Sequence, residues 1–250
     1  MNTLALLMLR LIPLFLLLTT VSACDSSTPA PETLPPDEEP ATDIIPLRSG
    51  DSFVYERITT ETRYTSDGDS VGPSVTATVR WTTSVLQGNA VLDGDTDLLK
   101  VRERFGNDLE TVYWYRLDGT GLYTLARLNL DSRFPDRRDT LRYAPPLQTL
   151  AFPLSEGQTW TFQEATDTAL RLDKDVIGIG DRTVPAGTFT CTEVRGTYND
   201  DRFIEPESYE IVDCVAGEVL VERVFSRTNV LQSGDYPIQR VEERTVLRSR

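Results

Sequence analysis

Residues 75 to 82 read Val-Thr-Ala-Thr-Val-Arg-Trp-Thr, so apolar and polar side chains alternate along the stretch. Successive side chains of an extended strand point to opposite faces of a sheet. The pattern therefore predicts a strand with one apolar face and one polar face. The apolar face holds Val75, Ala77, Val79 and Trp81, and the polar face holds Thr76, Thr78, Arg80 and Thr82.

Similar signals recur on both sides of this stretch. Residues 111 to 117 read Thr-Val-Tyr-Trp-Tyr-Arg-Leu and precede Asp118-Gly119 and Leu122-Tyr-Thr-Leu, which predicts a hairpin with an Asp-Gly turn. Residues 218 to 225 and 239 to 247 predict two further strands. Helical periodicity is nearly absent from residues 46 to 250, and roughly ten to twelve strands fit this length. We therefore expect an all-β, antiparallel fold.

Two segments of the chain share one pattern. Pro46-Leu-Arg-Ser-Gly-Asp-Ser-Phe-Val-Tyr55 and Pro153-Leu-Ser-Glu-Gly-Gln-Thr-Trp-Thr-Phe162 both carry a Gly, then Ser or Thr, then two alternate aromatic residues. A turn at the Gly, followed by a strand with its aromatic side chains on one face, accounts for this pattern. The repeat predicts two related halves, residues 46 to 150 and 151 to 250. It leaves open whether these are separate domains or parts of one curved sheet.

Three segments of the second half resemble a pattern in known proteins. They are Pro153-Leu-x-x-Gly-x-Thr-Trp160, Val184-Pro-Ala-Gly-Thr-Phe-x-Cys191-x-x-Val194 and Val215-Ala-Gly-Glu-Val-Leu-Val221. The pattern is similar to one in uncharacterised bacterial envelope lipoproteins. The folds of that family are similar to the open, incomplete β-barrels of lipoprotein carrier and sorting proteins. The resemblance implies a strongly curved sheet or open β-barrel that can take an apolar ligand.

The first 23 residues predict a signal peptide. Leu11 to Leu18 form a short apolar run behind Arg10, which suits a secretory signal better than a membrane-spanning helix. Val21-Ser-Ala-Cys24 follows directly and resembles the lipobox of bacterial lipoproteins. The resemblance implies that Cys24 carries a diacylglyceryl group and further acyl chains such as palmitate, which hold the protein at a membrane of the cell envelope. The alternative is a plain secretory signal with a cysteine near its cleavage site, and the membrane and leaflet stay open.

Residues 24 to 45 predict a disordered tether. Residues 25 to 45 contain five prolines, six acidic residues and no basic residue, with few large apolar side chains. Such a composition does not bury enough apolar surface to offset the entropy of folding. A proline-rich chain of this length reaches about 60 Å at about 3.1 Å per residue. We expect it to hold the body, residues 46 to 250, clear of the membrane.

The charge balance bears on the choice of partners. The chain contains 25 basic and 39 acidic residues and no histidine, which gives a net charge of −14. Lysine occurs only at Lys100 and Lys174, so nearly all positive charge belongs to arginine. Binding to nucleic acid depends on contacts from basic side chains to phosphates. We therefore expect no nucleic acid among the partners.

The two remaining cysteines, Cys191 and Cys214, lie in predicted strands joined by a polar loop. If Tyr198 faces Ser208, position 191 falls opposite about position 215, so the two thiols are near neighbours across a hairpin. Exported proteins meet oxidising conditions in which such thiols pair. We predict a structural disulfide. The alternative is a redox pair, but the chain lacks a C-x-x-C motif between these positions.

The absence of histidine restricts the chemistry. It removes Ser-His-Asp and Cys-His activation of a nucleophile and the usual zinc ligands. Paired carboxylates stay available for glycoside hydrolysis, but spacing does not single out a pair among so many acids. The sequence predicts no catalytic residue, no cofactor and no metal ligand.

Two charged segments resemble binding sites, but we interpret both as surface structure. Asp93-Gly-Asp95-Thr-Asp97 begins like a calcium loop, but Leu98 and Arg104 stand where the EF-hand pattern needs Gly and Glu. We therefore interpret this segment as a solvated turn. The one basic cluster consists of Arg133, Arg137, Arg138 and Arg142, interspersed with Asp136 and Asp139. We expect a surface loop whose charges pair with one another.

These observations support three functions. The first is a non-enzymatic, membrane-anchored envelope lipoprotein that binds an apolar ligand or an envelope protein through its curved sheet. The second is a structural or assembly lipoprotein without a ligand cavity. The third is a hydrolase built on carboxylates, which needs two acids that converge in a cleft with shifted pKa values.

Overall fold

The computed structural model describes residues 46–134, 139–166, 171–198, 208–230 and 238–250. Within these ranges the chain forms twelve β-strands and no helix. No described helix is therefore long and apolar enough to span a membrane. The predicted signal peptide, the lipid-bearing Cys24 and the tether lie outside the described residues.

The strands follow one another through short connections. In chain order they are β1 Ser52–Tyr64, β2 Val75–Leu92, β3 Asp95–Phe105, β4 Leu109–Asp118, β5 Gly121–Asp131, β6 Asp139–Ala151, β7 Thr159–Gln163, β8 Leu172–Val184, β9 Gly187–Tyr198, β10 Ser208–Ala216, β11 Val219–Val230 and β12 Ile238–Ser249. The hairpin predicted at Asp118-Gly119 joins β4 to β5, and the two strands predicted near the end of the chain are β11 and β12.

All twelve strands belong to one antiparallel sheet, in the order β6-β5-β4-β3-β2-β1-β12-β11-β10-β9-β8-β7. The first six strands form one meander and the last six form another, and β1 pairs with β12 to join them. The sheet rolls into a nearly closed barrel whose seam lies between β6 and β7. The predicted all-β, antiparallel, open-barrel fold is confirmed.

The repeated Gly-containing segments have equivalent positions in the two meanders. In the first, the Gly50 N–H donates to the Val85 carbonyl and the Val85 N–H donates to the Asp51 carbonyl, both at 2.9 Å. These bonds connect the turn before β1 to β2 at a point where β2 has a β-bulge, just after Val85. Gly50 has a φ of +95°, a conformation that favours glycine.

The second meander reproduces this arrangement. The Gly157 N–H donates to the Val176 carbonyl, and the Val176 N–H donates to the Gln158 carbonyl, again both at 2.9 Å. Gly157 has a φ of +78°, and β8 has its bulge just after Val176. The sequence repeat thus corresponds to a repeated turn that links β1 to β2 and β7 to β8.

The strand predicted for residues 75 to 82 exists as the first part of β2, and most of its apolar face is exposed rather than buried. Val75 and Val79 are 66% and 38% exposed. β2 pairs with β3 only from Trp81 onward, where Trp81 lies opposite Phe105. The preceding residues of β2 extend past the end of β3, so little covers their side chains.

A disulfide joins Cys191 on β9 to Cys214 on β10, with the Cα atoms 5.5 Å apart. The predicted strand register was displaced by one residue, since Thr192 lies opposite Val215 and Glu193 lies opposite Cys214. A shift of one residue moves a side chain to the other face of a sheet. The observed register places both cysteines on the same face, where the disulfide can form.

Replacing Gly50 or Gly157 by alanine is expected to destabilise the fold. A Cβ at either position meets no atom within 4 Å, so the cost is the backbone conformation itself. We expect each substitution to lower the free energy of unfolding by about 1 kcal/mol, measured by urea denaturation. Gly178→Ala is the control, because Gly178 has equal space and no positive φ. Equal losses in all three variants would contradict this account.

Reducing the disulfide should also destabilise the protein. The two cysteines are separated by 23 residues in the chain. A crosslink over such a loop stabilises the folded state by roughly 3 kcal/mol. We expect the denaturation midpoint to fall on addition of a thiol reductant and in the Cys191→Ala, Cys214→Ala double variant. A reductant effect that persists in the double variant would show that it acts elsewhere.

Candidate functional site

The two meanders meet across the inner face of the rolled sheet. One apolar cluster combines buried residues from β5 and β6 with buried residues from β8, β9 and β10. Its members are Leu122, Leu150, Val176, Val194 and Val215. Because these strands are far apart in the sheet order, their contact defines the face that points inward. The candidate site is built from the polar residues on this same face.

An ion pair between Asp213 and Arg223 lies on the inner face. Asp213 on β10 is directly opposite Val194, a member of the inner apolar cluster, and also directly opposite Arg223 on β11. The Arg223 guanidinium donates from Nε and Nη2 to the two carboxylate oxygens of Asp213 at 2.6 and 2.8 Å. Burial alone raises the pKa of Asp213, but Arg223 and Lys174 outweigh it and hold that pKa below its ordinary value. Asp213 is therefore ionised, and the bidentate contact fixes the guanidinium.

Arg223 also shows that the inner face is hydrated. The side chain faces inward, and the Asp213 carboxylate raises its pKa. Nevertheless 43% of its side-chain surface is accessible to water, against 7% for Asp213. A filled core would leave a side chain in this position without such access. The strands thus surround a water-accessible space, which we call the lumen.

Glu103 faces the lumen from the first meander. It belongs to β3 and is directly opposite Thr83 on β2. Burial raises the pKa of Glu103, while the charge of Arg223 and a hydrogen bond from the Tyr113 hydroxyl lower it. Burial raises the pKa of Tyr113 and of Tyr115 as well, and Glu103 adds to both effects. We refer to Glu103, Tyr113, Tyr115, Lys174, Asp213 and Arg223 as the inner polar cluster.

Lys174 is the buried cation of this cluster. Only 8% of the residue is exposed. Its Nζ donates a hydrogen bond to the Thr149 carbonyl at 2.9 Å. The ammonium also lies 4.9 Å from the centre of the Phe162 ring. Burial lowers the pKa of Lys174 to about 8, with Asp213 opposing the shift and Arg223 adding to it.

Several buried polar atoms of the inner face have no hydrogen-bond partner in the protein. Within the described ranges they are Arg57 Nε, Trp81 Nε1, Thr83 Oγ1, Arg127 Nε and Arg227 Nε. Strand register places each of these residues on the inward face, since Arg57 and Arg223 both lie opposite Thr245, and Arg127 lies opposite Tyr113. A buried donor without a partner costs about 1–3 kcal/mol, so native proteins usually satisfy it with water or a ligand.

Aromatic side chains form the wall beside these donors. The rings of Tyr55, Trp81 and Phe105 stack across β1, β2 and β3, with centroids 5.4 and 5.2 Å apart. Tyr113 and Tyr115 stack on β4 with centroids 5.6 Å apart. The lumen therefore combines flat apolar surfaces with guanidinium, indole and carboxylate groups, a composition typical of small-molecule sites.

The charged segments singled out from the sequence lie apart from the lumen. Arg142 on β6 forms ion pairs with Asp93 and Asp95, both at 3.0 Å, so the calcium-like turn is occupied by a guanidinium. Arg133 pairs with Asp131 at 2.7 Å. Among the described residues no group of acidic or sulfur ligands has the arrangement of a metal site. Arg137 and Arg138 lie outside the described residues.

Sequence reasoning missed the inner polar cluster. Two signals pointed to it: Lys174 is one of only two lysines, and Asp213 interrupts the apolar stretch Ile211-Val-Asp-Cys-Val215. A charged residue inside an otherwise apolar strand is costly unless it is paired. The sequence did not reveal which residue pairs with Asp213, because only the register of β10 and β11 brings Arg223 opposite it.

Comparison with known proteins gives two weak structural likenesses. One is to the crystal structure of a candidate exported protein with a YmcC-like fold from Bacteroides fragilis, with 13% identity over 82% of this chain and 97% of that chain and a TM-score of 0.29. The other is to a candidate lipoprotein from Parabacteroides distasonis, with 12% identity over 83% of this chain and 98% of that chain and a TM-score of 0.31. No protein-family model and no curated protein matches the sequence.

Asp213→Asn should destabilise the protein because it removes the charge that fixes Arg223. Hydrogen bonds to charged groups contribute about 1.5–3 kcal/mol, and the water that reaches Arg223 reduces the loss, so we expect about 2 kcal/mol by urea denaturation. The native pKa of Asp213 is lowered, so its stabilisation is present above the unfolded pKa and is lost as the pH falls through the folded pKa. The variant should therefore show a weaker acid sensitivity than the parent.

Asp175→Asn is the matched control. Asp175 also accepts two hydrogen bonds from one arginine, Arg195, at 3.1 and 2.7 Å, but this pair is on the outer surface. Exposed ion pairs contribute less than about 1 kcal/mol. If the two variants lost equal stability, the inner ion pair would be no more than an ordinary surface contact.

Proposed function

We propose that the protein is a lipid-anchored envelope protein that binds a small amphipathic ligand in the lumen of its rolled sheet. One observation carries the proposal: among the described residues, the buried side-chain nitrogen and oxygen atoms that lack a hydrogen-bond partner all belong to residues of the inner face. If the lumen were only a packed core, these atoms would be an uncompensated cost. The anchor on Cys24 rests on the lipobox resemblance.

The chemistry of the lumen indicates the ligand class. The unpartnered nitrogens belong to Arg57, Arg127, Arg227 and Trp81, which are donors without acceptor capacity. They favour a ligand with an acceptor group, and guanidinium groups prefer an anionic one. The inner apolar cluster and the stacked aromatic rings favour an apolar portion in the same molecule. An anionic amphiphile satisfies both surfaces better than a purely apolar ligand.

The two carboxylates of the inner polar cluster, Asp213 and Glu103, favour a binding role over hydrolysis. Both oxygens of Asp213 accept hydrogen bonds from Arg223, so this carboxylate is already engaged. Glu103 has a raised pKa but needs a second free acid as nucleophile or base. We therefore propose that the protein is not an enzyme.

Binding can be tested with dodecyl phosphate and dodecanol, which share an apolar chain and differ in the head group. We expect dodecyl phosphate to bind more tightly, as measured by titration calorimetry below its critical micelle concentration. Arg57→Gln should weaken dodecyl phosphate binding by about tenfold, because it removes the unpartnered Nε donor of a guanidinium whose Nη1 pairs with Glu243 at 3.5 Å.

Arg80→Gln is the control for this test. Arg80 lies on the neighbouring strand β2, but its side chain is 64% exposed and pairs with Glu56 at 2.6 Å on the outer face. Its substitution should leave binding unchanged. Failure of both probes to bind, or equal weakening in the two arginine variants, would refute a ligand site in the lumen.

A further inference from the structure

The internal repeat makes two junctions of the sheet comparable. Because β1 corresponds to β7 and β6 corresponds to β12 in the two meanders, the junction of β12 with β1 corresponds to the junction of β6 with β7. The first is a ladder of eleven register pairs from Val54↔Ser249 to Tyr64↔Ile238. At the second, β6 and β7 are the two ends of the sheet order and share no ladder in the described structure.

The sequence explains why the second junction stays open. β7 has 5 residues, whereas β1 has 13. β6 contains Pro145 and Pro146, which have no backbone N–H to donate to a neighbouring strand. Equivalent junctions thus differ, since β12 and β1 are joined by a backbone ladder whereas β6 and β7 are not.

Beside the inner apolar cluster, which packs across the seam, two side chains form hydrogen bonds over it in place of a ladder. The Trp160 indole on β7 donates from Nε1 to the Gln148 carbonyl on β6 at 2.9 Å. The Lys174 ammonium on β8 donates to the adjacent Thr149 carbonyl at 2.9 Å. These bonds satisfy carbonyls at the edge of β6, and Trp160 packs against the inner apolar cluster. Side-chain contacts of this kind separate more readily than a ladder of backbone bonds.

We propose that the seam between β6 and β7 is a lateral portal to the lumen, and that the charge on Lys174 favours its opening. A portal at this position leads directly to the inner apolar cluster and the inner polar cluster. The proposal rests on the proposed function only where it says that a ligand passes through the portal. The opening itself is a property of the protein alone.

The direction of the charge effect follows from solvation. A closed seam keeps the ammonium buried between Thr149 and Phe162, whereas an open seam exposes it to water. The charged groups that face it are Asp213 on β10, which favours the ammonium, and Arg223 on β11, which opposes it. In the closed state the pKa of Lys174 is about 8, below the ordinary value of 10.5. Since water restores the ordinary pKa, protonation favours the open seam.

The pH dependence has a defined sign. Lys174 is charged in both states below about pH 8, so the closed seam is least favoured there. As the pH rises from 8 towards 10.5, the closed state loses its proton first and becomes more favoured, by up to about tenfold per pH unit. The portal is thus loosest near neutral pH and tightens in base.

Fluorine NMR of the full chain in detergent, labelled with fluorotryptophan, can measure the opening without a ligand. The chain has three tryptophans, Trp81, Trp114 and Trp160, so each gives its own resonance. A soluble gadolinium chelate broadens the resonances of rings that water reaches. We expect broadening of Trp160 near neutral pH that decreases as the pH is raised through about 8, with little change at the other two tryptophans.

Lys174→Met and Lys174→Gln should remove the pH dependence and leave Trp160 protected throughout. Lys100→Met is the control, because Lys100 is the other lysine and lies 5.6 Å from the Trp114 ring, away from the seam. The Trp81 and Trp114 resonances report whether each variant folds, and Lys174→Gln serves if Lys174→Met does not.

Three results would overturn the portal. They are a Trp160 accessibility that does not change with pH, a pH response that survives in the folded Lys174 variants, or greater accessibility of Trp160 in those variants. The last result would show that the ammonium holds the seam shut. None of these results bears on the affinity for dodecyl phosphate, so failure of the portal and failure of the ligand site are distinguishable.

Discussion

The ladder between β1 and β12 is the interaction on which the rest of the structure depends. It pairs strands from opposite ends of the described chain and converts two six-stranded meanders into one sheet. Without it, β1 and β12 would each present a long unpaired edge, which natural proteins avoid. With it, the sheet is wide enough to roll until β6 and β7 approach each other.

Rolling the sheet creates a face that neither meander has alone. Glu103 and Tyr113 come from the first half, while Lys174, Asp213 and Arg223 come from the second. The charge of Arg223 in the second half lowers the pKa of Glu103 in the first half, so the two halves interact across the lumen. The polar character of this face, the water that reaches Arg223 and the unpartnered donors distinguish the lumen from a packed core.

The repeat gives the two halves the same plan and different endings. The turn hydrogen bonds at Gly50 and Gly157 are equivalent, and so are the bulges that follow Val85 and Val176. The difference lies at the final junction, where a short β7 and the two prolines of β6 prevent a second ladder. The same repeated plan thus gives one junction a ladder and leaves the other without one.

The sequence by itself determined the features that arise from residues close together in the chain. Alternation of side chains along residues 75 to 82, the Asp118-Gly119 turn and the glycine repeat each act within a few residues, so the antiparallel strands and the internal repeat could be predicted. The tertiary structure alone decided which faces became inner ones. Val75 is exposed because β3 ends before reaching it, and Asp213 is tolerated because register brings Arg223 opposite. Strand length and register are set by pairing between distant segments, and a shift of one residue exchanges the two faces of a strand.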